Sequence, residues 1–255
     1  MSEQTVRLDV DGPVTRVTLD NPAKRNALGR STLDELRAAL TRLPPTTEAV
    51  VLAANGPVFS AGHDLAEMQD RDGAFYDDLF AACTEVMLAV RSVGPPVIAK
   101  VHGPATAAGC QLVASCDLAV AAETAWFATP GVRVGLFCST PMVPISRLVG
   151  RRRALQMLLT GEPVDAATAL EWGLVNAVVP PEELDAAVDE LVGQIVRWSP
   201  RVVALGKRAF YAQLDEPDAV AYDTVGPVMA ANAADPDAQE GFAAFLEKRT
   251  PKWEH

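Results

Sequence analysis

Three short apolar runs, EAVVLAA at 48–54, VIAKV at 97–101 and LAVAA at 118–122, constrain the fold of this chain most strongly. They lack the polar–apolar alternation of a half-exposed strand, so each reads as a strand buried on both faces. Helical patterns separate them. Thr32 and Glu35 form a T-x-x-E capping box for a helix running to about residue 43, where Pro44 and Pro45 stop it. A second, amphipathic helix is predicted over about 75–93, ahead of Pro95 and Pro96. Buried strands alternating with helices imply βαβ crossovers and a largely parallel sheet.

TVRLDV and PVTRVTLD alternate on either side of Asp11-Gly12, which predicts a hairpin at the start of this sheet. From Pro141 onward the pattern is nearly all helical: ISRLVG, RRRALQMLLTG, the ATALEWG segment ending on Gly173, residues 182–198 and residues 237–249. No repeat, low-complexity tract or linker divides the 255 residues, so the chain reads as one α/β core followed by a helical C-terminal region.

The charge balance narrows the function. A formal net charge of -11 disfavours a nucleic-acid surface, and the one dense basic run, Arg151, Arg152 and Arg153, reads as a solvated helix start. Four scattered cysteines (Cys83, Cys110, Cys116, Cys138) form no C-x-x-C pair, and the three histidines are His63, His102 and His255, so no metal site is expected. MSEQTVRLDV lacks an apolar signal core and no run reaches membrane-spanning length. The expectation is a cytoplasmic protein without membrane insertion. No G-x-G-x-x-G follows a strand, which disfavours a dinucleotide-binding oxidoreductase.

Chemistry is expected at two small-residue loops, SAGHDL at 60–65 and ATAAGCQL at 105–112, each directly after a buried strand. Ligands bind at that carboxyl edge of an open α/β sheet. Two converging backbone N–H groups, one at a helix N-terminus, would make an oxyanion hole. Either loop alone is explained as well by tight helix–strand packing.

Together the loops resemble a family. FSAGHDL is similar to the F-x-A-G-x-D-[IL] motif of the crotonase (enoyl-CoA hydratase/isomerase) superfamily, and HGPATAAGCQLVASCDLAVA to its second signature, which usually carries G-G-G-C-E. LDNPAKRNAL resembles the family's first loop, LLTGEPVDAATALEWGLVNAVVP its helical half and EGFAAFLEKRTPKW its usual ending. The resemblance implies the crotonase (ClpP-like) fold, an α/β stack of ββα/βαβ units in a superhelix with a helical C-terminal region. It places the core at 1–195 and a C-terminal helical trimerisation region at 196–255. It further implies a homotrimer or a dimer of trimers, and an acyl-CoA thioester as substrate, with coenzyme A entering as part of that substrate and no separate cofactor.

The same resemblance assigns oxyanion donors to the backbone N–H groups of His63 and Ala108. It brings the CoA adenine and phosphates to Ala23, Lys24 and Arg25, and substrate contacts to Ala61, Asp64, Leu65, Phe137, Cys138 and Ser139. It also exposes departures. Where hydratases of the family carry two glutamates this chain has Gln111 and Gly131, and a third acid used by dienoyl-CoA isomerases falls at Ser139. Gln111 can orient a water or a carbonyl but has no accessible proton-transfer equilibrium. A positioned proton-transfer group is worth about 10²–10⁴-fold in rate, so hydration by the usual route should fail.

Few residues offer a replacement. His63 titrates near neutrality, but with its backbone as the donor its side chain is expected to point away. Cys138 reads as a small wall residue unless a nearby base lowers its pKa. Cys110 and Cys116 are expected to pack inside, Asp64 and Asp117 to hold loop backbone, and Trp126, Phe127 and Phe137 to serve as core or acyl-pocket wall. The reaction class implied is enoyl-CoA hydratase/isomerase-like polarisation of a thioester, as in decarboxylation, isomerisation or thioester hydrolysis. The alternative is a non-catalytic acyl-CoA binder or regulatory subunit. Restoring both acids, Gln111→Glu with Gly131→Glu, should raise crotonyl-CoA hydration if the backbone tolerates them.

Overall fold

The computed structural model describes residues 4–253, so His255 and the first three residues of the expected core lie outside the described residues. The chain opens with β1 (Val6–Asp11) and β2 (Val14–Leu19), an antiparallel hairpin pairing Val6 with Leu19. Gly12 turns it with φ 55°, a conformation a side chain would strain. Then follow α1 (Arg30–Thr41), β3 (Ala49–Ala54), α2 (Leu65–Met68), α3 (Gly73–Ser92), β4 (Val97–Val101) and β5 (Ala105–Thr106). Next come α4 (Ala108–Ser115), β6 (Leu118–Ala122), β7 (Trp126–Ala128), α5 (Met142–Val149), α6 (Arg151–Thr160), β8 (Val164–Asp165) and α7 (Ala166–Trp172). The last elements are β9 (Ala177–Val179), α8 (Leu184–Val196), α9 (Pro200–Gln213), α10 (Asp218–Ala233) and α11 (Pro236–Glu247).

Six strands make one sheet in the order β1-β2-β3-β4-β6-β9, parallel at every step but the opening hairpin. The short strands β5, β7 and β8 form a second, three-stranded sheet. The unbroken apolar character of β3 has a direct cause. Val50 and Leu52 point into the main core against α1 and α3, while Ala49 and Val51 point the other way, against Leu184, Val188 and Val192 of α8. Each face of the strand is a core face, so no position can be polar. Facing α3 presents Leu79, Cys83, Val86 and Val90 at helical spacing, all buried.

The expected capping box does not form. Helix α1 begins two residues before Thr32, with Gly29 at its N-cap. Glu35 is drawn elsewhere: its Oε2 accepts the amides of Thr5 at 2.8 Å and Val6 at 3.0 Å, tying the first strand to the helix. Glu67 takes over the helix start, accepting the Arg30 amide at 3.1 Å. Trp126 is also not core; it sits half-exposed at the start of β7, whereas Phe127 beside it is fully buried.

Helices α9 to α11 attach to the core through a buried polar knot. Lys207 on α9 donates to the carbonyls of Val90 and Pro95, each at 3.0 Å, and pairs with Asp117 at 2.7 Å. Asp117 also accepts the Val97 amide at 2.6 Å and the Tyr211 hydroxyl at 2.8 Å. The side chains of Lys207 and Asp117 are only 6% and 13% exposed. Burial lowers the Lys207 pKa and the Asp117 carboxylate opposes that shift. Replacing one member leaves the other charge buried and unpaired. Lys207→Met is therefore expected to destabilise the fold by about 3–5 kcal/mol, read as a lowered urea midpoint. An unchanged midpoint would show that water, not Lys207, satisfies Asp117.

Candidate active site at the junction of two loops

The loops at 60–65 and 105–112 are zipped together by backbone. Ser60 pairs with Ala105 in a parallel bridge, the Thr106 amide donates to the Ser60 carbonyl at 2.9 Å, and the Phe59 amide donates to Pro104 at 2.9 Å. Their glycines set how close they come. A Cβ on Gly109 would lie 2.4 Å from the Ser60 carbonyl oxygen, so α4 rests directly on the first loop. A Cβ on Gly62 would lie 2.8 Å from the Ala107 Cβ and 3.1 Å from the Ala108 nitrogen. The amide of Ala108 thus sits beside the residue preceding His63.

Neither the His63 nor the Ala108 amide donates a hydrogen bond among the described residues. Ala108 is the first residue of α4, whose N-terminal end favours negative charge. Both residues line one cavity of about 190 Å³, whose walls include Phe137, Cys138, Ser139 and Thr140, as well as Phe80 from α3. Five of these, His63, Ala108, Phe137, Cys138 and Ser139, were named from the sequence. Phe80, Leu136 and Pro141 carried no signal in the sequence, because only the packing of α3 and of the loop before α5 brings them here.

The His63 ring packs edge-on against Phe80 with centroids 5.4 Å apart. Nδ1 lies 3.0 Å from the Leu28 carbonyl oxygen. A carbonyl only accepts, so Nδ1 carries the proton and Nε2 is the bare acceptor. Nε2 is buried and has no partner. Burial holds the His63 pKa below its ordinary value, with the Leu28 hydrogen bond and Glu67 opposing.

No carboxyl group lines this cavity. Gln111 is 4% exposed and reaches the cavity only through Thr140, whose hydroxyl donates to Gln111 Oε1 at 3.2 Å. Gly131 is buried, and a Cβ there would lie 2.0 Å from the Leu136 carbonyl oxygen and 2.9 Å from the Cys138 sulfur. Backbone cannot yield that far, so the condition on which the Gly131→Glu rescue was expected, a tolerant backbone, is not met. Cys138 fares no better as a nucleophile. Burial pushes its thiol pKa up and a hydrogen bond with the Gly131 backbone only partly opposes this. Cys110 and Cys116 are fully packed, and burial pushes the Cys110 thiol up to about 12.

Asp64, next to His63 in sequence, faces a separate polar cavity of about 450 Å³ shared with Asn21, Lys24, Ser31 and Glu67. Its Oδ1 accepts the Ala66 amide at 3.1 Å, capping α2, and its Oδ2 pairs with Lys24 at 2.8 Å. That hydrogen bond holds the Asp64 pKa down and the Lys24 pKa up. Lys24 is therefore already partnered, whereas Arg25 makes no ion pair among the described residues and is the freer cation for an anionic ligand. Arg25 adopts φ 53°, and its carbonyl accepts the Ala61 amide at 3.0 Å, tying the segment around Arg25 to the loop at 60–65. Ala23 and Leu65 are exposed on the same surface.

A fold of this kind with two free amides over a cavity defines a class. The model of the Enoyl-CoA hydratase/isomerase family matches residues 9–255, and the chain belongs to that family. Among individual proteins it is 47% identical over 245 residues to mitochondrial enoyl-CoA hydratase domain-containing protein 3 of Mus musculus, spanning 95% of this chain and 82% of that one. A solved enoyl-CoA hydratase of Mycobacterium smegmatis superposes with TM-score 0.97 at 50% identity, over 98% of this chain and 99% of the other. The crystal structure of human enoyl-CoA hydratase domain-containing protein 3 does so with TM-score 0.95 at 44% identity, over 98% and 100%. These likenesses bear out the expected superfamily and fold. They overturn the cytoplasmic expectation, since the mouse, rat, zebrafish and human relatives are all named mitochondrial. No helix among the described residues is long and apolar enough to cross a membrane.

Two measurements follow from this geometry. Ala107 holds φ 50° and ψ −118°, a region nearly reserved for glycine, and such strain costs about 1–3 kcal/mol. Ala107→Gly relieves it but adds unfolded-chain entropy, so a net gain near 1 kcal/mol in urea stability is expected; a loss would mean the loop gains nothing from relaxing. For His63 the folded pKa is depressed, so the unfolded chain binds more protons between that pKa and about 6.5. Its contribution is complete above about pH 6.5 and is lost as pH falls through the folded value. Stability should decline over that window, and His63→Asn should flatten the slope; identical slopes would exclude His63 as its source.

Proposed function

We propose that this protein binds an acyl-CoA thioester with the carbonyl oxygen between the amides of His63 and Ala108. Enolate or tetrahedral oxyanion character developing on that oxygen is stabilised there. The observation that carries this reading is the pair of undonated amides flanking one cavity, one of them at the positive end of α4. In such a site each donor is worth about 10²–10³-fold in rate. Arg25 and the polar cavity around Asp64 suit the phosphates and base of CoA.

The acid–base half of hydration is missing. The cavity wall offers no carboxylic acid as donor, and His63 Nε2 is buried out of reach of a water-sized group. A reaction that needs carbonyl polarisation more than proton transfer fits best: decarboxylation, isomerisation or thioester hydrolysis. The acid-free wall also supports a second reading, a binder or regulatory subunit without turnover. In either case we propose association into trimers through the C-terminal helices, where Tyr222, Met229, Phe242, Phe245 and Leu246 are exposed.

The test uses an acyl-CoA labelled with ¹³C at the thioester carbonyl. On binding, its infrared carbonyl stretch should move to lower frequency. The double variant Ala107→Gly with Ala108→Pro removes one N–H while keeping a residue suited to a first helical position. It should lose much of the shift, and any turnover should fall about 10²–10³-fold. An unshifted carbonyl in the wild-type complex would sink the oxyanion reading. Wild-type crotonyl-CoA hydration at ordinary enzymatic rates would sink the account of the missing acids.

A further inference from the structure

Behind Thr140 lies a second cavity of about 110 Å³, on whose wall stand Thr140 itself, Gln111, Arg91 and the apolar side chains of Met87, Leu88 and Val143. Thr140 lines both cavities, so the two are separated by little more than this side chain. We infer that the second cavity receives the far end of the acyl chain and that this end is a carboxylate. The inference rests on the acyl-CoA reading of the first cavity and names the substrate class it would take.

Two unmatched donors carry it. Gln111 is buried, and with Oε1 occupied by Thr140 its Nε2 has no partner among the described residues. Arg91, in the last turn of α3, makes no hydrogen bond or ion pair among the described residues; its guanidinium lies over the Tyr211 ring, 5.4 Å from the centroid. The acids near it are taken. Asp117, which holds Tyr211, pairs with Lys207 at 2.7 Å, and Glu85 on the same helix pairs with Arg37 at 3.0 Å. Arg91 thus stands at the wall of this cavity with no acid of its own among the described residues. The remaining hydroxyls are spent: Thr84 donates to Phe80 and Ser115 to Gln111, each to a carbonyl at 2.8 Å.

A plain alkyl end would leave both donors unmatched, at the cost of an unsatisfied buried amide and an unpaired cation. A carboxylate accepts from both at once. The volume holds about three or four water-sized groups, enough for a carboxylate and one or two methylenes against Met87 and Leu88. Together with the chain crossing the first cavity, this points to a short dicarboxylic acyl thioester.

Calorimetric titration of the full chain with two matched pairs tests this: glutaryl-CoA against valeryl-CoA, and adipyl-CoA against hexanoyl-CoA. At least one dicarboxylic member should bind about tenfold or more tighter than its neutral match, as expected for charge-assisted hydrogen bonds. In Arg91→Met that ratio should fall to about one. Should that variant fail to fold, the wild-type ratios alone decide. Equal affinities within both pairs overturn the carboxylate assignment and leave acyl-CoA binding standing. A preference that survives in Arg91→Met removes the carboxylate from this cavity. Failure of all four thioesters to bind overturns the acyl-CoA reading and this inference with it.

Discussion

Close contact between two loop backbones is the constraint on which this structure depends. Ser60 pairs with Ala105, Gly109 lies against the Ser60 carbonyl, and Gly62 lies against Ala107. At those separations even a methyl group on either glycine would collide with backbone or with a fixed Cβ, so the sequence of the loops is dictated by their distance. The contact sets both free amides at one cavity. It also explains why Ala107 is held in a glycine-like conformation: the chain must turn from β5 into α4 while its amide still donates to Ala128 at 2.9 Å. Asn26 supports the arrangement from beneath, donating to the carbonyls of Asn55 and Val58 at 2.8 Å each.

Around that junction the chemistry is neutral. His63 is held in one tautomer by Leu28 and its pKa is lowered by burial, burial keeps Cys138 a thiol, and Gln111 meets the thioester cavity only through Thr140. The charged side chains of Lys24, Asp64 and Glu67 face the separate polar cavity instead. Such a division suits a ligand with an anionic handle and a reactive centre that must be polarised in a dry place, where dipoles act strongly.

Much of this was legible in the sequence, for reasons that can be located. The strands at 49–54, 97–101 and 118–122 were readable because burial on both faces leaves no alternation, and the hairpin because Asp11-Gly12 can do little else. The five cavity residues were readable through motif resemblance. What failed was whatever depended on distant partners. Thr32 and Glu35 have the spacing of a capping box, but the amides of Thr5 and Val6 compete for Glu35 and win. Gly131 looked like a missing acid; only the path of Leu136 shows that a Cβ there would collide with backbone. Helix α10 carries Pro227 in its interior and spreads its apolar residues around its circumference, so no stripe announced it.

The anchoring of α9 carries a consequence for how such a chain can diversify. Lys207 grips the end of α3, the turn before β4 and the start of β6, and touches neither loop that shapes the thioester cavity. The anchor thus holds α9 without bearing directly on either loop of the amide pair. A lineage can rework the outward faces of α10 and α11, and with them the company the protein keeps, without retuning the reaction centre.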